Sequence, residues 1–177
     1  MRRLILSFVF LLATSVYVFA QSGDQRVEIS AGTATQSMSL RGLKGVRLTV
    51  MFGRADGMDA TQRPAVLKVL QDDAKAQIQK AGIPLLQYAT EIEDAGSPHL
   101  IMTIIMDKPN GFVFPLVTEL RLLQQANLGR DPSIEMSVVT WKTGGVGAPE
   151  VDLEMLRSQV STEIGLFIKD YLSANPK

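Results

Sequence analysis

Cysteine is missing from this chain of 177 residues, and histidine occurs only once, as His99. A chain without cysteine forms no disulfide, holds no iron–sulfur cluster, and offers neither a thiol nucleophile nor the acylation site of a lipoprotein. A single histidine leaves few of the usual nucleophile–base pairs of hydrolases, and it makes a weak metal site. We therefore expect no cofactor and no metal.

An excess of charge of either sign is also missing, since 18 basic residues balance 18 acidic ones. This balance argues against a nucleic-acid partner and against broad attraction to anionic lipid. Hydrophobic residues make up 46% of the chain and charged residues 20%, which is ordinary for a globular protein able to bury a core. We predict one globular domain that does not bind nucleic acid.

The first twenty residues have the pattern of a cleavable secretory signal peptide. Two arginines at positions 2 and 3 precede the apolar stretch Leu4–Val18, and small residues stand where a signal peptidase cuts. Cleavage after Ala20 would leave Gln21 as the first residue. The alternative is an uncleaved anchor, for which the 17-residue segment 4–20 is at the short end of the roughly 17 to 25 residues that a spanning helix needs. We predict a periplasmic or secreted protein with no stable membrane span after cleavage.

The centre of the domain is predicted at Leu100–Met106, where seven residues include only one hydroxyl. A run this short and this apolar is typical of a strand covered on both faces. The segment Val46–Phe52 alternates apolar and polar residues, which indicates a half-buried strand. Three further strands are predicted at Ile83–Tyr88, Phe112–Gln125 and Ile134–Trp141.

Apolar residues recur at helical spacing in two segments, Gln62–Ala81 and Leu153–Leu172. Pro64 lies in the first turn of the first segment, Gly82 follows its end, and Asp59 or Thr61 is the predicted N-cap.

The predicted fold class is α+β, with the element order β-α-β-β-β-β-α. A mixed four- or five-stranded sheet carries both helices on one face. Residues 21–41 are polar and rich in small side chains, so we expect a flexible lead-in there and a single domain over 42–177.

A glycine-rich stretch between the last strand and the second helix is the one candidate binding loop. Its candidate residues are Trp141, Lys142, Thr143, Gly144, Gly145 and Gly147. Glycine amides ahead of a helix can bind an anion, and Lys142 would add charge, but neither the phosphate-loop order nor the dinucleotide order is present. The alternative is a mobile connector that Trp141 anchors to the core.

Acidic residues near His99 suggest a weaker candidate. Glu91 and Glu93 precede His99 in the chain and would be the carboxylates of a small hydrolase or transferase. The competing interpretation, which we favour, is a solvated acidic loop next to an ordinary surface histidine. We predict no catalytic residues.

Four segments of the sequence resemble a family of small, uncharacterised exported bacterial proteins. These segments are residues 40–46 (LRGLKGV), 81–83 (AGI), 141–147 (WKTGGVG) and 167–176 (FIKDYLSANP). The resemblance covers most of the mature chain and implies no activity. The proposed architecture is also similar to small envelope-assembly accessory domains, a likeness of topology that does not carry function.

Together these patterns predict a non-enzymatic periplasmic or secreted accessory domain that binds an envelope protein, a lipid or a glycan. Its expected contact surfaces are an exposed sheet edge, the sheet face opposite the helices, and the loop 144–147. Two alternatives stay open: the small enzyme near His99, and a self-associating structural protein that buries Ile101 and Ile105 against a second copy.

Overall fold

The computed structural model describes residues 33–56, 58–87, 96–107, 116–146 and 152–176. The elements in chain order are α1 (Thr33–Met38), β1 (Arg47–Ala55), α2 (Arg63–Lys80), β2 (His99–Met106), β3 (Leu116–Leu128), β4 (Asp131–Val146) and α3 (Leu153–Ala174). The predicted signal segment lies outside the described residues.

The four named strands form one mixed sheet in the order β1-β2-β3-β4. β1 and β2 run parallel, with α2 in the connection between them, and the other two pairs are antiparallel. The antiparallel meander β2-β3-β4 follows from short connections, whereas a parallel pair needs a long crossover. The predicted α+β class is confirmed.

The predicted strand Ile83–Tyr88 is reduced to a single parallel bridge between Val46 and Leu85, and Tyr88 lies outside the described residues. The amide of Val46 donates to the carbonyl of Pro84 at 3.0 Å, and that of Leu86 donates to the carbonyl of Val46 at 3.0 Å. Beyond Val46, the outer edge of β1 is bonded by a side chain of α2 rather than by this segment. The sheet therefore has four strands rather than five.

Strand β2 lies inside the sheet as predicted, but it is fully covered on one face only. Leu100, Met102 and Ile104 are completely buried, whereas Ile101 and Ile105 on the opposite face are half-buried. The reason is that α2 and α3 both pack on the same side of the sheet. The expectation of a strand covered on both faces is wrong.

The helices bury one stripe each, as their periodicity predicts. From α2 the buried residues are Leu70, Ala74 and Ile78, and the buried apolar residues from α3 are Leu156, Val160, Ile164, Phe167 and Tyr171. Trp141 of β4 meets Phe167 edge to face, with ring centroids 5.3 Å apart.

The ends of α2 are partly as predicted. Pro64 lies in the first turn, and Gly82 has a φ of +78°, the left-handed conformation that glycine adopts at little cost. The N-cap is Gln62, and its side chain makes no capping bond. The carboxylate of Asp59 instead accepts from both the amide and the hydroxyl of Thr61, each at 2.8 Å. Asp59 and Thr61, the predicted capping residues, therefore bond to each other instead of capping α2.

The described part of the predicted flexible lead-in is residues 33–41. It contains α1 and Leu40, which is fully buried. The side chain of Asn175, just after α3, donates to the carbonyl of Leu40 at 2.9 Å. Residues 33–41 therefore pack against the domain predicted at 42–177.

The two edges of the sheet differ. The side-chain amide of Gln71 on α2 accepts from the amide of Val50 at 2.7 Å and donates to the carbonyl of Leu48 at 3.0 Å, as a neighbouring strand would. At the other edge, no described strand pairs with the outer side of β4. Where β4 is touched, the hydroxyl of Ser39 donates to the carbonyl of Thr140 at 3.0 Å.

Candidate functional site

The sheet face opposite α2 and α3, hereafter the open face, is where side chains are least covered. Its residues alternate with the buried ones along each strand. They are Arg47, Thr49 and Met51 on β1, His99, Ile101, Thr103 and Ile105 on β2, Val117, Glu119, Arg121 and Leu123 on β3, and Val139, Lys142, Gly144 and Val146 on β4. Met51 and Val139 are 43% and 48% exposed. The open face therefore combines apolar side chains with a central group of charges.

The predicted binding loop is largely part of strand β4. Thr143, Gly144 and Gly145 pair with Leu120, Glu119 and Thr118 of β3, and Gly147 lies outside the described residues. A Cβ at Gly144 would stand 2.7 Å from the carbonyl oxygen of Thr118. The expectation of a mobile loop is wrong here, because this glycine permits close approach of two strands.

The predicted residues are divided between the two faces of the sheet. Trp141 is buried against the helices, where its indole N–H donates to the carboxylate of Asp170 at 2.9 Å. Gly145 is also buried, opposite Thr118. Lys142 and Gly144 belong to the open face. The six residues therefore do not form one site.

Lys142, Thr143 and Gly144 line a pocket of about 210 Å³ between β2, β3 and β4. The other lining residues are Thr103, Ile105, Val117, Thr118 and Glu119. A second pocket, of about 460 Å³, shares Glu119 and Lys142 and adds Arg121 and Gln36 of α1. The two pockets meet at the charged centre of the open face.

That centre holds two cations and one carboxylate. Arg121 and Lys142 are direct partners across β3 and β4. Arg121 Nε lies 3.5 Å from Glu119 Oε2, a contact within ion-pair distance but without hydrogen-bond geometry. Lys142 forms no ion pair with any residue that the structure describes. The local charge is therefore positive.

Thr103 contributes a buried hydroxyl to the same pocket. Its Oγ1 is inaccessible to solvent and has no hydrogen-bond partner in the described parts of the chain. Such groups are uncommon in folded proteins, because an unmade hydrogen bond costs free energy. Thr103, Glu119 and Arg121 were not among the site residues predicted from the sequence. The only signal was polar residues at alternate positions, which also fits an ordinary solvated face.

His99 is held as a neutral imidazole at the end of the open face. Arg47 Nη2 lies 2.7 Å from its Nδ1, and Thr49 Oγ1 lies 2.9 Å from its Nε2. Because arginine only donates, Nδ1 accepts, and Nε2 carries the proton and donates to Thr49. Burial and, secondly, the charge of Arg47 lower the pKa of His99. Glu91 and Glu93 lie outside the described residues.

Other features carry less chemistry. A groove of about 560 Å³ between α2 and α3 contains Arg157, which pairs with Asp73 at 2.7 Å and Glu154 at 3.1 Å. Within the ranges given above, no three histidine, cysteine or acidic residues are grouped to hold a metal ion. The described helices include none with the length and apolar character needed to cross a membrane.

No protein-family model matches the sequence, nor does any curated protein. Among solved structures, a single-residue variant of the PelC dodecamer from Paraburkholderia phytofirmans is 12% identical, with a TM-score of 0.37 over 84% of this chain and 98% of that one. The PelC dodecamer in another crystal form is 15% identical, with a TM-score of 0.36 over 86% and 96%. Similarity this low carries no inference about function.

Proposed function

We propose that this chain is an exported, non-enzymatic binding domain, an accessory protein of the bacterial cell envelope that takes its partner on the open face. One observation carries the proposal. Lys142, Thr143 and Gly144 of the predicted binding segment line a pocket at the sheet face predicted for contact, so two of the three expected surfaces overlap in part. The partner classes are those expected from the sequence: an envelope protein, a lipid or a glycan.

The uneven burial of β2 supports this choice of surface. The helix side of that strand is fully covered, whereas Ile101 and Ile105 stay half-buried. Met51 and Val139, at opposite edges of the same face, are each more than 40% exposed. Partly exposed apolar side chains grouped on one surface together with charged ones are typical of interaction sites.

The enzyme alternative has less support. A general base needs a free lone pair near the substrate, but both nitrogens of His99 already bond to neighbouring side chains. Protonation of the ring is also opposed by the adjacent guanidinium of Arg47.

Self-association is the second candidate function, and the half-buried Ile101 and Ile105 are the observation that favours it. In that case the partner on the open face is another copy of this chain. Sedimentation of the mature protein over a wide concentration range distinguishes self-association from binding of a different partner. Only self-association gives an average molecular mass that rises with protein concentration.

The main test compares two surfaces with matched substitutions. Met51→Glu and Val139→Glu place a charge on the open face, and Val69→Glu and Leu172→Glu place one on helix positions of similar exposure, 36% and 41%. Each protein is immobilised and exposed to envelope extract from the cell that makes it. We expect the bound components to be lost with the open-face variants and retained with the helix variants. Equal capture by all four proteins, or loss only with the helix variants, would reject the open face as the binding surface.

A further inference from the structure

We propose that the pocket between β2, β3 and β4 binds an aliphatic chain that ends in an anionic head group, a carboxylate or a phosphate. Lys142 pairs with the head group, Thr103 donates a hydrogen bond to it, and Ile105 and Val117 contact the chain. This inference rests on the proposed function, because it names the ligand class of the same open face.

The charge distribution favours an anion. Like charges directly opposite each other on neighbouring strands are unfavourable, and Arg121 and Lys142 stand in this relationship. Among the described residues of the open face, Glu119 is the carboxylate beside them, and it contacts Arg121 rather than Lys142. Two cations against one carboxylate in this described group leave one positive charge unbalanced. An anionic group between Arg121 and Lys142 would relieve their repulsion.

The hydroxyl of Thr103 provides an independent indication. Thr103 is one of the residues that line the pocket, and its hydroxyl oxygen is cut off from water and has no partner among the described residues. Thr103 is paired across the sheet with Glu119, which places it beside the charged centre. An oxygen of the ligand head group would accept the hydrogen bond that this hydroxyl does not make within the chain.

The size and lining of the pocket indicate the rest of the ligand. Its volume of about 210 Å³ corresponds to roughly seven water-sized groups, taking about 30 Å³ for each. Ile105 and Val117 form an apolar wall, and Gly144 adds no side chain. This space suits a head group with a short run of methylene groups, and it is small for a nucleotide or an oligosaccharide.

The experiment uses the mature chain and titrates it with octanoate and with octyl phosphate, followed by calorimetry and by amide NMR shifts. Acetate tests the head group alone, and 1-octanol tests the aliphatic chain without its charge. We expect octanoate or octyl phosphate to bind at least tenfold more tightly than both controls. The NMR shifts should fall on β2, β3 and β4. If octanoate binds more tightly than octyl phosphate, the head group is a carboxylate; if octyl phosphate binds more tightly, it is a phosphate.

Two variants test the named residues. Lys142→Gln should weaken binding about tenfold or more, because a charge-assisted hydrogen bond is lost. Its matched control is Lys75→Gln on the exposed side of α2, which should leave binding unchanged. Thr103→Val keeps the shape of the side chain and removes the hydroxyl. It should weaken binding while leaving thermal stability equal or higher, a combination that loss of folding does not produce.

The proposal is overturned if neither anion binds, if 1-octanol binds as tightly as octanoate, or if Lys142→Gln and Lys75→Gln behave alike. Each of these results would leave the proposed function standing, provided that Met51→Glu and Val139→Glu still abolish capture of the envelope partner. The proposed function itself would fail in a different way. In that case the open-face variants would capture the same components as the helix variants.

Discussion

Asn175 Oδ1 accepts a hydrogen bond from the backbone amide of Gly42 at 2.7 Å and so joins the end of the last helix to the entry of the first strand. Close by, the hydroxyl of Tyr171 donates to the carbonyl of Leu43 at 2.7 Å. The segments 40–46 and 167–176 therefore meet in space, and their contacts close the fold.

Loss of the Asn175 amide should destabilise the protein. Asn175→Ala removes the bonds to Gly42 and Leu40, and we expect a loss of about 1–3 kcal/mol in the free energy of unfolding. Denaturant titration measures this change. Asn127→Ala is the control, because Asn127 makes an exposed bond to the carbonyl of Pro132 within one hairpin. An equal effect of the two substitutions would mean that Asn175 does not hold the two ends together.

Gly144 should tolerate no side chain. The added Cβ of Gly144→Ala would meet the backbone oxygen of Thr118 at 2.7 Å, so β3 and β4 must separate locally. We expect a loss of about 1–3 kcal/mol, as for other overpacked sites, measured by thermal or denaturant unfolding.

Gly129→Ala is the matched control for that substitution, since an added Cβ there has nothing within 4 Å. Its stability should stay within about 0.5 kcal/mol of the original. Wild-type stability in Gly144→Ala would show that the strands are not packed as closely as described.

Most of the fold follows from the sequence because periodicity reports burial directly. The stripes of α2 and α3, the Gly82 cap and the β2-β3-β4 meander were all predictable from spacing and turn residues. The sequence did not predict correctly the structure of the described parts of segments 83–88 and 143–147. Leu85 gains only one bridge partner, and Gly144 serves close strand packing, and neither fact is encoded in local composition.

The candidate site was predictable in part for the same reason. Lys142 and Gly144 stand out as a lysine beside glycines, but Thr103 and Arg121 are single polar residues in alternating strands. Their meeting depends on the register that pairs Thr103 with Glu119 and Arg121 with Lys142. Register across strands far apart in sequence is a tertiary property.

The pH dependence of the free energy of unfolding should show the protonation of His99. Its pKa in the folded protein is lowered from the ordinary value of 6.5 by burial and by Arg47. Between the lowered value and 6.5 the unfolded chain binds more protons, so stability is complete above about pH 6.5 and decreases as the pH falls through this interval. An NMR titration of the ring should give a midpoint below 6.5.

His99→Gln provides the comparison for the pH measurement. Because the chain contains one histidine, this substitution should flatten the decrease in stability as the pH falls below about 6.5. An unchanged slope in the variant, or a midpoint above 6.5 in the wild type, would contradict the neutral state assigned to the ring.

Export should remove the first twenty residues. We expect the protein recovered from the periplasm or medium of a bacterial host to begin at Gln21, as determined by N-terminal sequencing and intact mass. Ala20→Arg should block this processing, because the peptidase requires a small residue there. Recovery of the wild-type chain with its first twenty residues attached would instead support a membrane anchor.

The side chain of Gln71 limits how copies of this protein can aggregate. In a fibre built by edge-to-edge strand pairing, every copy pairs with one neighbour at each of its two sheet edges, so both edges must be free. At the outer edge of β1, residues 84–86 bond the amide and carbonyl of Val46, and Gln71 bonds the carbonyl of Leu48 and the amide of Val50. Strand pairing by another copy at this part of β1 would have to displace the side chain of Gln71, so a single glutamine on a neighbouring helix opposes one of the two edge contacts that fibre growth needs.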